Sequence, residues 1–312
     1  MQTMRTNSFH DVAHWAGEFP RETWYDRLLP PSDVTVLKPD GSPLMSVLRG
    51  VLTGDIYRAV YQAVAPLARS APLKNRGVAA GNIKESDERE LFSSVPRGGR
   101  LGKRTKARYQ PVKRDGTVSN TVYGKDAPSF FLGASDRSSR YPYCRQTAYT
   151  AQYPERIQQL LPGLHLLNQI FAEVLPSRYA AQADAIRQIQ PAWVFPGTVF
   201  TTATVNRNWQ TALHTDKGDL AAGFGVMICL RAGTYTGGYY VMPEYRVAVD
   251  LQAGDVLLSD VHCLHGNTAL VGDAIRYERM TVVCYYRERM QDCGTPAEEL
   301  QRAKEKRGAL YR

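Results

Sequence analysis

Two histidines and one aspartate have the types and spacing of ligands for a divalent metal. His214 and Asp216 are separated by a single residue, so both side chains project to the same side if this segment is extended. His265 follows 49 residues after Asp216, at the end of another β-rich run. Two imidazoles and one carboxylate on a β-scaffold form the facial triad, which leaves open positions on Fe(II) for a bidentate co-substrate and O₂.

The ligand set leaves two alternatives open. His262 lies in the same segment as His265, and the spacing alone fits either histidine. We favour His265, because Gly266 directly after it allows the backbone to approach a metal closely, and His262 then lies beside the ligands or in the core. A zinc hydrolase could use the same two histidines and aspartate together with a water.

A downstream arginine favours the iron alternative. Arg279 begins the last apolar run, fourteen residues after His265, and Thr281 faces the same side two positions on. A keto-dicarboxylate bound to iron through its keto-acid end needs a cation for its distal carboxylate, and a guanidinium holds such a group with a bidentate fork. Arg276 is the rival, but it belongs to a polar turn. A zinc hydrolase has no evident use for this arginine.

The elements that must position these residues are predicted from hydrophobic periodicity. Helical spacing marks residues 55–70 and 155–175, with Pro162 opening the second of two helical pieces in the latter. After residue 190, short β-rich runs alternate with turn residues, at 193–195, 199–205, 224–230, 239–242, 246–250, 255–259 and 280–286. This texture predicts an α+β protein whose core is a double-stranded β-helix, a cupin-like jelly roll flanked by N-terminal helices.

The net charge of +9 is concentrated in one segment, residues 97–114. Its 8 basic residues, with no acidic one, are Arg97, Arg100, Lys103, Arg104, Lys106, Arg108, Lys113 and Arg114. A glycine-containing run with few apolar residues cannot bury itself, so we expect a loop-like surface segment. Such a segment either contacts phosphate backbones or is simply solvated.

Composition also predicts the compartment. The five cysteines are odd in number, widely separated and never in a C-x-x-C pair, which predicts reduced thiols rather than disulfides. The N-terminus has no apolar signal segment, and no apolar run approaches membrane-spanning length. We therefore expect an intracellular protein without a membrane partner, in a bacterial or phage-infected cytoplasm or, from the Lys-Arg pairs of the basic segment, in a nucleus. No segment identifies a protein partner.

Several segments together resemble the TET/J-binding-protein branch of Fe(II)/2-oxoglutarate dioxygenases, which oxidise the 5-methyl group of a pyrimidine in nucleic acid. The matching segments are TTATVNRN at 201–208, TALHTDKGD at 211–219, GDVLL at 254–258, HGNT at 265–268, RMT at 279–281 and CYYRE at 284–288. The likeness is greatest to thymine-hydroxylating J-binding proteins and bacteriophage relatives. It implies that His214, Asp216 and His265 bind the iron and that Arg279, Thr281 and Asn206 hold 2-oxoglutarate.

The resemblance also implies a DNA substrate and O₂ as the second co-substrate. Asp219, Tyr285 and Arg287 are then the candidates for contact with the base, with Trp209 and Phe224 as further aromatic candidates. The base must be flipped out of a duplex or presented in a single strand. An aspartate suits the N3–H of thymine somewhat better than cytosine, so we favour thymine over 5-methylcytosine as the substrate.

The chain lacks the cysteine-rich region of animal TET proteins and the DNA-binding module of the base-J binder. DNA contacts are therefore expected from the first 190 residues, with the basic segment as the candidate. We expect an N-terminal extension over residues 1–150, the helices and jelly-roll oxygenase core over 151–292, and a tail over 293–312. Two alternatives remain, a 2-oxoglutarate oxygenase of protein side chains or small metabolites, and a DNA-binding module with a decayed metal site.

Overall fold

The computed structural model describes residues 1–84, 100–104, 106–113, 115–118, 123–138 and 141–310. Its helices are α1 (Gly54–Ser70), α2 (Ala148–Gln152), α3 (Pro154–Val174), α4 (Pro176–Ile186) and α5 (Pro296–Leu310). Its strands are β1 (Gln2–Arg5), β2 (Arg27–Leu28), β3 (Val34–Leu37), β4 (Pro43–Leu48), β5 (Lys74–Asn75), β6 (Arg100–Arg104), β7 (Tyr109–Val112), β8 (Asp126–Ala127), β9 (Ser129–Ser135), β10 (Arg145–Gln146), β11 (Thr202–Arg207), β12 (Gly225–Ala232), β13 (Thr236–Gly237), β14 (Tyr240–Met242), β15 (Val247–Val249), β16 (Val256–Ser259), β17 (Gly266–Asn267), β18 (Leu270–Val271) and β19 (Glu278–Tyr285).

Two sheets face each other and form the predicted jelly roll. The larger sheet has nine strands in the order β1-β3-β4-β16-β12-β19-β11-β9-β10, and the smaller has the order β17-β14-β15-β2. One apolar cluster lies between the sheets, and a larger one lies between the nine-stranded sheet and helices α1, α3 and α4. Because both faces of this sheet are covered, strands β12 and β16 are apolar nearly throughout.

In strand β19, alternate side chains point to opposite faces of the large sheet. Met280, Val282 and Cys284 belong to the cluster under the helices. The alternate residues Arg279, Thr281, Val283 and Tyr285 line a cavity between the sheets. The side chains with polar chemistry therefore collect on the inner face.

Helix α3 corrects one prediction. It runs unbroken from Pro154 to Val174 with Pro162 inside it, so Pro162 does not open a second helix. Proline removes one backbone hydrogen bond from the helix interior. The helix also packs closely against α1 at this point, since a Cβ on the neighbouring Gly163 would lie 2.3 Å from a methyl of Val60.

Other segments also differ from expectation. Residues 193–195 do not form a strand, because Pro191 starts a short 3₁₀ helix (Pro191–Trp193) there. The basic segment is not a plain loop, since β6 and β7 pair as an antiparallel hairpin. Arg97 and Arg114 lie outside the described residues. Within the segment expected to be an extension, β1, β3, β4 and β9 join the large sheet.

The prediction of five reduced thiols is wrong for one pair. Cys144 and Cys293 form a disulfide with Cα atoms 5.7 Å apart, across a sequence separation of 149 residues. Only the tertiary fold brings these two positions together, so spacing along the sequence gave no sign of it. Cys229, Cys263 and Cys284 are free and buried, as expected. Among the described helices, none combines the length and apolar character that crossing a membrane requires.

Candidate active site

His214, Asp216 and His265 come together at one end of the cavity between the sheets. His214 and His265 form an isolated antiparallel bridge, with backbone hydrogen bonds of 2.9 and 3.0 Å in the two directions. The Nε2 atoms of both histidines lie 3.6 Å from the two carboxylate oxygens of Asp216. One ligand atom from each residue lies within 4.8 Å of the others.

Backbone carbonyls fix the tautomer of both imidazoles. Nδ1 of His214 donates to the carbonyl oxygen of Ala212 at 2.8 Å, and Nδ1 of His265 donates to that of Cys263 at 3.0 Å. A carbonyl can only accept, so each Nδ1 carries the hydrogen and each Nε2 presents its lone pair to the other ligands. This orientation is the one that metal-binding histidines require.

The three groups affect one another's pKa values. Burial, together with the neighbouring His265, lowers the pKa of His214 to about 4. Burial would raise the pKa of Asp216, but the neighbouring imidazoles of His265 and His214 lower it to about 2. An ionised carboxylate beside a neutral imidazole is the donor set that a divalent metal takes. The residues therefore fit Fe(II).

His262 lies outside the cluster of His214, Asp216 and His265. Its Nδ1 lies 3.1 Å from Oδ1 of Asp260, and its Nε2 lies 3.3 Å from the carbonyl oxygen of Asp219. Asp260 in turn accepts a 2.6 Å hydrogen bond from Lys38. The side chain thus supports the loop that follows Asp216, and these contacts favour His265 over His262 as the candidate ligand.

Arg279 is a buried cation in the same cavity. Its side chain lies on the inner face of β19 and is 6% exposed. Among the described residues, no carboxylate lies within ion-pair distance of its guanidinium. Thr281, also buried, accepts a 3.4 Å hydrogen bond from Nδ2 of Asn206, whose Oδ1 is buried without a partner. These groups fit a dicarboxylate ligand. Arg276, the rival, is exposed and pairs with Asp273.

The cavity has a volume of about 660 Å³. It is lined by all nine residues predicted for iron, co-substrate and base, namely His214, Asp216, His265, Asn206, Arg279, Thr281, Asp219, Tyr285 and Arg287. Trp209 also lines it. Phe224 does not; it is buried in the cluster under the helices.

Asp219 and Arg287 lie side by side. They form an isolated bridge, flanked by backbone hydrogen bonds from Glu288 to Gly218 and from Leu220 to Tyr286, each 3.0 Å long. Burial, followed by the nearby charge of Asp216, raises the pKa of the Asp219 carboxyl. An acceptor from Asp219 therefore faces the cavity beside a donor from Arg287.

Sequence reasoning missed two residues of this site. Asp136 accepts hydrogen bonds from Nε and Nη2 of Arg287 at 2.8 and 3.3 Å, and so holds that guanidinium in a fixed plane. Arg76 lines the cavity with its guanidinium carbon 3.8 Å from the ring centre of Phe131. Both lie far in sequence from the metal ligands, and only a long-range contact could have revealed them.

The predicted DNA contacts are only partly within the described structure. Arg100, Lys103 and Arg104 lie in β6, and Lys106, Arg108 and Lys113 are exposed. Arg108 also lines the cavity. One residue of the basic segment thus reaches the candidate site.

Known proteins resemble this chain in both sequence and fold. The family model Tet_JBP, described as the oxygenase domain of the 2OGFeDO superfamily, matches residues 133–288, which is half of the chain. The chain belongs to the Tet_JBP family. The matched span contains the three candidate ligands, Arg279 and Asp136, whereas Arg76 and the basic segment lie before it.

The relatives of this Tet_JBP chain are much longer proteins. It is 38% identical over 144 residues to the bifunctional helicase and thymine dioxygenase JBP2 of Leishmania infantum, covering 46% of this chain and 13% of the relative. It is 34% identical over 146 residues to the thymine dioxygenase JBP1 of Trypanosoma brucei brucei, covering 46% of this chain and 17% of the relative. The similarity therefore concerns one domain of those proteins.

The fold of the Tet_JBP chain matches that of NgTET1, solved in complex with 5mC DNA. The TM-score is 0.53 at 12% identity, over 90% of this chain and 88% of the other. This match extends to the N-terminal half, which the family model does not reach. It confirms the jelly-roll architecture for the chain.

Proposed function

We propose that this protein hydroxylates the 5-methyl group of a pyrimidine base in DNA, with thymine favoured over 5-methylcytosine. The observation that carries the proposal is the His214–Asp216–His265 set in one cavity with buried Arg279, which has no acidic partner among the described residues. The relatives named as thymine dioxygenases match 46% of the chain, over 144 and 146 residues. We place the reaction in the cytoplasm of a bacterial or phage-infected cell, or alternatively in a nucleus.

The three ligands would hold Fe(II), and 2-oxoglutarate and O₂ would be the co-substrates. When bound, the iron couples decarboxylation of 2-oxoglutarate to oxidation of a C–H bond by O₂. Arg279 would bind the distal carboxylate of 2-oxoglutarate as a bidentate partner, and the Thr281 hydroxyl would donate to the same group. The unpartnered Oδ1 of Asn206 needs a donor or a water at that end of the cavity.

The other end of the cavity suits a flipped base. Tyr285, hydrogen-bonded to Thr204 at 3.0 Å, offers an aromatic wall, and Trp209 lies in the same lining. A carboxyl group has an accepting oxygen in either protonation state, so Asp219 can accept from the N3–H of thymine. Arg287 then donates to a neighbouring carbonyl oxygen of the base. The base must leave the duplex to reach this depth.

The basic segment would hold the DNA backbone outside the cavity. Arg97, Arg100, Lys103, Arg104, Lys106, Arg108, Lys113 and Arg114 supply the positive charge, and their contacts with phosphates would make binding steeply dependent on salt. A steep salt dependence of DNA binding also separates this function from the alternative, an oxygenase of protein side chains or small metabolites. Such an enzyme does not need to bind a polyanion.

The test is mass spectrometry of nucleosides from DNA that contains both thymine and 5-methylcytosine. The DNA is incubated with protein, Fe(II), 2-oxoglutarate and ascorbate in air, beside a His214→Ala control. We expect 5-hydroxymethyluracil in excess over 5-hydroxymethylcytosine with the intact protein and neither with the control. Release of succinate without any modified base would overturn the assignment to DNA and leave an oxygenase with another substrate.

A further inference from the structure

His262 lies between two groups that can only accept hydrogen bonds. Its Nδ1 lies 3.1 Å from Oδ1 of Asp260, and its Nε2 lies 3.3 Å from the backbone carbonyl oxygen of Asp219. A neutral imidazole has a hydrogen on one nitrogen and a lone pair on the other, whereas an imidazolium donates from both nitrogens. Only the charged form of His262 therefore satisfies both contacts.

The surroundings of Asp260 keep its carboxylate ionised. Oδ2 accepts a 2.6 Å hydrogen bond from Nζ of Lys38, which directly follows β3. Oδ1 accepts from the backbone N–H of His262 as well as from its ring. Burial alone would raise the pKa of Asp260, but the hydrogen bonds from His262 and Lys38 hold it well below its usual value. An ionised carboxylate has no hydrogen to donate, so Nδ1 of His262 carries one.

The charges that face His262 also favour the imidazolium. The hydrogen bond to Asp260 raises the pKa of His262 above its ordinary value, although burial opposes this effect. Asp260 and Asp216 both add negative charge, Asp219 presents its carbonyl oxygen, and the nearby cation Lys38 is paired with Asp260. The His262 side chain is 31% exposed, so it exchanges protons with water. The ring thus loses its charge only as the pH rises through a raised pKa.

The contact from Nε2 reaches the loop that carries Asp219. At the start of this loop, the backbone N–H of Asp216 donates to the carbonyl of Val261 at 2.9 Å. At its end, the isolated bridge between Asp219 and Arg287 joins the loop to the segment after β19. Between these two attachments, His262 holds the carbonyl of Asp219. The imidazolium therefore connects the candidate residue for base contact with the segment after β16.

We propose that His262 is a positioning residue for the substrate: as an imidazolium it holds the backbone of Asp219, and with it the acceptor that Asp219 presents in the cavity. When the ring loses a proton, ionised Asp260 retains the hydrogen on Nδ1, and Nε2 is left with a lone pair. That lone pair faces the carbonyl oxygen, so the hydrogen bond is lost and the loop is released. Affinity for the substrate base then falls. The proposal rests on the proposed function, because Asp219 is assigned to the base there.

The first experiment measures the binding of a single-stranded oligodeoxynucleotide with one thymine as a function of pH. Fluorescence anisotropy at fixed salt, with Zn(II) in place of Fe(II), compares the wild-type protein with His262→Gln and His165→Gln. A second oligonucleotide has an abasic site in place of the thymine and carries the same phosphates. His165 is the matched control, because it is an exposed histidine of α3 whose Nε2 lies 2.8 Å from the carbonyl of Pro196.

We expect the affinity of the wild-type protein for the thymine oligonucleotide to fall about three- to tenfold between about pH 6 and about pH 9, since a hydrogen bond from a charged donor is lost. His165→Gln should follow the wild type. His262→Gln should bind weakly without this change, because a neutral amide cannot replace donors on opposite sides of the ring. The abasic oligonucleotide should show no such change with any protein. Equal pH dependence in wild type and His262→Gln would overturn the proposal.

Nitrogen-15 NMR of the histidine-labelled wild-type protein, again with Zn(II), tests the proposal without a substitution. Backbone assignment identifies His262 among the six histidines. Both of its ring nitrogens should carry a hydrogen at about pH 6. Because linkage is reciprocal, the thymine oligonucleotide should raise the pKa of His262 more than the abasic one, to the extent that matches the affinity change. Equal pKa values with the two oligonucleotides would overturn the proposal even if His262→Gln did not fold.

Failure of the proposed function would give a different result. If the wild-type protein bound both oligonucleotides equally at every pH and formed no modified base with Fe(II) and 2-oxoglutarate, the proposed function would fail and this proposal with it. If 5-hydroxymethyluracil formed and binding of the thymine oligonucleotide had the same pH profile in wild type and His262→Gln, this proposal alone would fail.

Discussion

At the level of single residues, the cavity presents one acceptor beside one donor. Asp219 and Arg287 are bridge partners, so their side chains leave adjacent backbone positions in the same direction. Asp136 occupies two of the nitrogens of Arg287 and leaves Nη1 without a described partner. The pair therefore complements the edge of a base that has a donor next to an acceptor. Thymine has such an edge, with the N3–H as the donor and the carbonyl oxygens beside it as acceptors.

Asp219→Asn is predicted to shift the product ratio from 5-hydroxymethyluracil toward 5-hydroxymethylcytosine. An amide adds an N–H donor, which can face the N3 acceptor of cytosine. The measurement is nucleoside mass spectrometry on DNA with equal amounts of both bases. Iron and 2-oxoglutarate binding should stay the same, and an unchanged ratio would show that Asp219 does not contact the base.

Asp136→Asn is predicted to raise the KM for DNA several-fold with a smaller effect on kcat. Loss of the carboxylate charge weakens the bidentate hold on Arg287, which is then free to leave its plane. Arg137→Gln is the control, because it removes the ion pair of the next residue with Glu299 outside the cavity. Equal changes in steady-state kinetics for both variants would mean that Asp136 acts only on stability.

At the level of elements, one face of β19 lines the cavity and the other packs against the helices. Arg279 points into the cavity, whereas its neighbour Glu278 points to the helix side. Glu278 accepts hydrogen bonds from Tyr61 and Arg69 of α1 at 2.6 and 2.7 Å and from Arg207 of β11 at 2.7 Å. This network ties α1 to the strand that holds the co-substrate arginine.

Glu278→Gln is predicted to lower the free energy of unfolding by about 1–3 kcal/mol at neutral pH, since the charge-assisted bonds are lost. Burial opposes ionisation, but the bonds from Arg69, Tyr61 and Arg207 lower the pKa of Glu278 to about 2. A lowered pKa in the folded state gives stability that is present above the unfolded value of about 4.5 and is lost as the pH falls toward 2.

Urea denaturation as a function of pH measures this contribution. The difference between wild type and Glu278→Gln should be constant at neutral pH and should shrink between about pH 4.5 and about pH 2. A difference that does not depend on pH over that window would assign the effect to packing of the side chain instead of its charge.

At the level of the whole molecule, the N-terminal half is built into the catalytic domain. Strands β1, β3, β4 and β9 complete the large sheet, and the segment after β5 forms part of the cavity wall. At the other end of the chain, the disulfide joins the segment after Asp136 to the segment after Arg287. Buried Glu299 of α5 accepts hydrogen bonds from the backbone of Cys144 and Gly294 beside it.

The Cys144→Ser/Cys293→Ser double variant is predicted to lower the free energy of unfolding by about 2–5 kcal/mol, because a disulfide that closes a long loop restricts the unfolded chain. The measurement is chemical denaturation with and without reducing agent. Reducing agent should destabilise the wild-type protein and leave the double variant unchanged. Equal stability of the two proteins under oxidising conditions would contradict the pairing.

The sequence alone determined the parts of this protein that local spacing encodes. His214 and Asp216 alternate in the segment between β11 and β12, His265 directly precedes β17 and Arg279 lies at the start of β19, so a two-residue period indicates which side chains share a face. The same periodicity predicted α1 and most of the jelly-roll strands. His262 could not be separated from His265 in this way, because the choice depends on contacts with Asp260 and Asp219.

Only the tertiary structure decided the contacts between distant segments. Arg76 meets Phe131, Asp136 meets Arg287, and Cys144 meets Cys293, each across a separation for which the sequence has no local signal. Such pairings depend on how the strands assemble into sheets, since a partner far along the chain is chosen by sheet order and register and not by neighbouring residues. The spacing in the sequence therefore identified the three candidate metal ligands, whereas the topology decided which distant residues line the cavity with them.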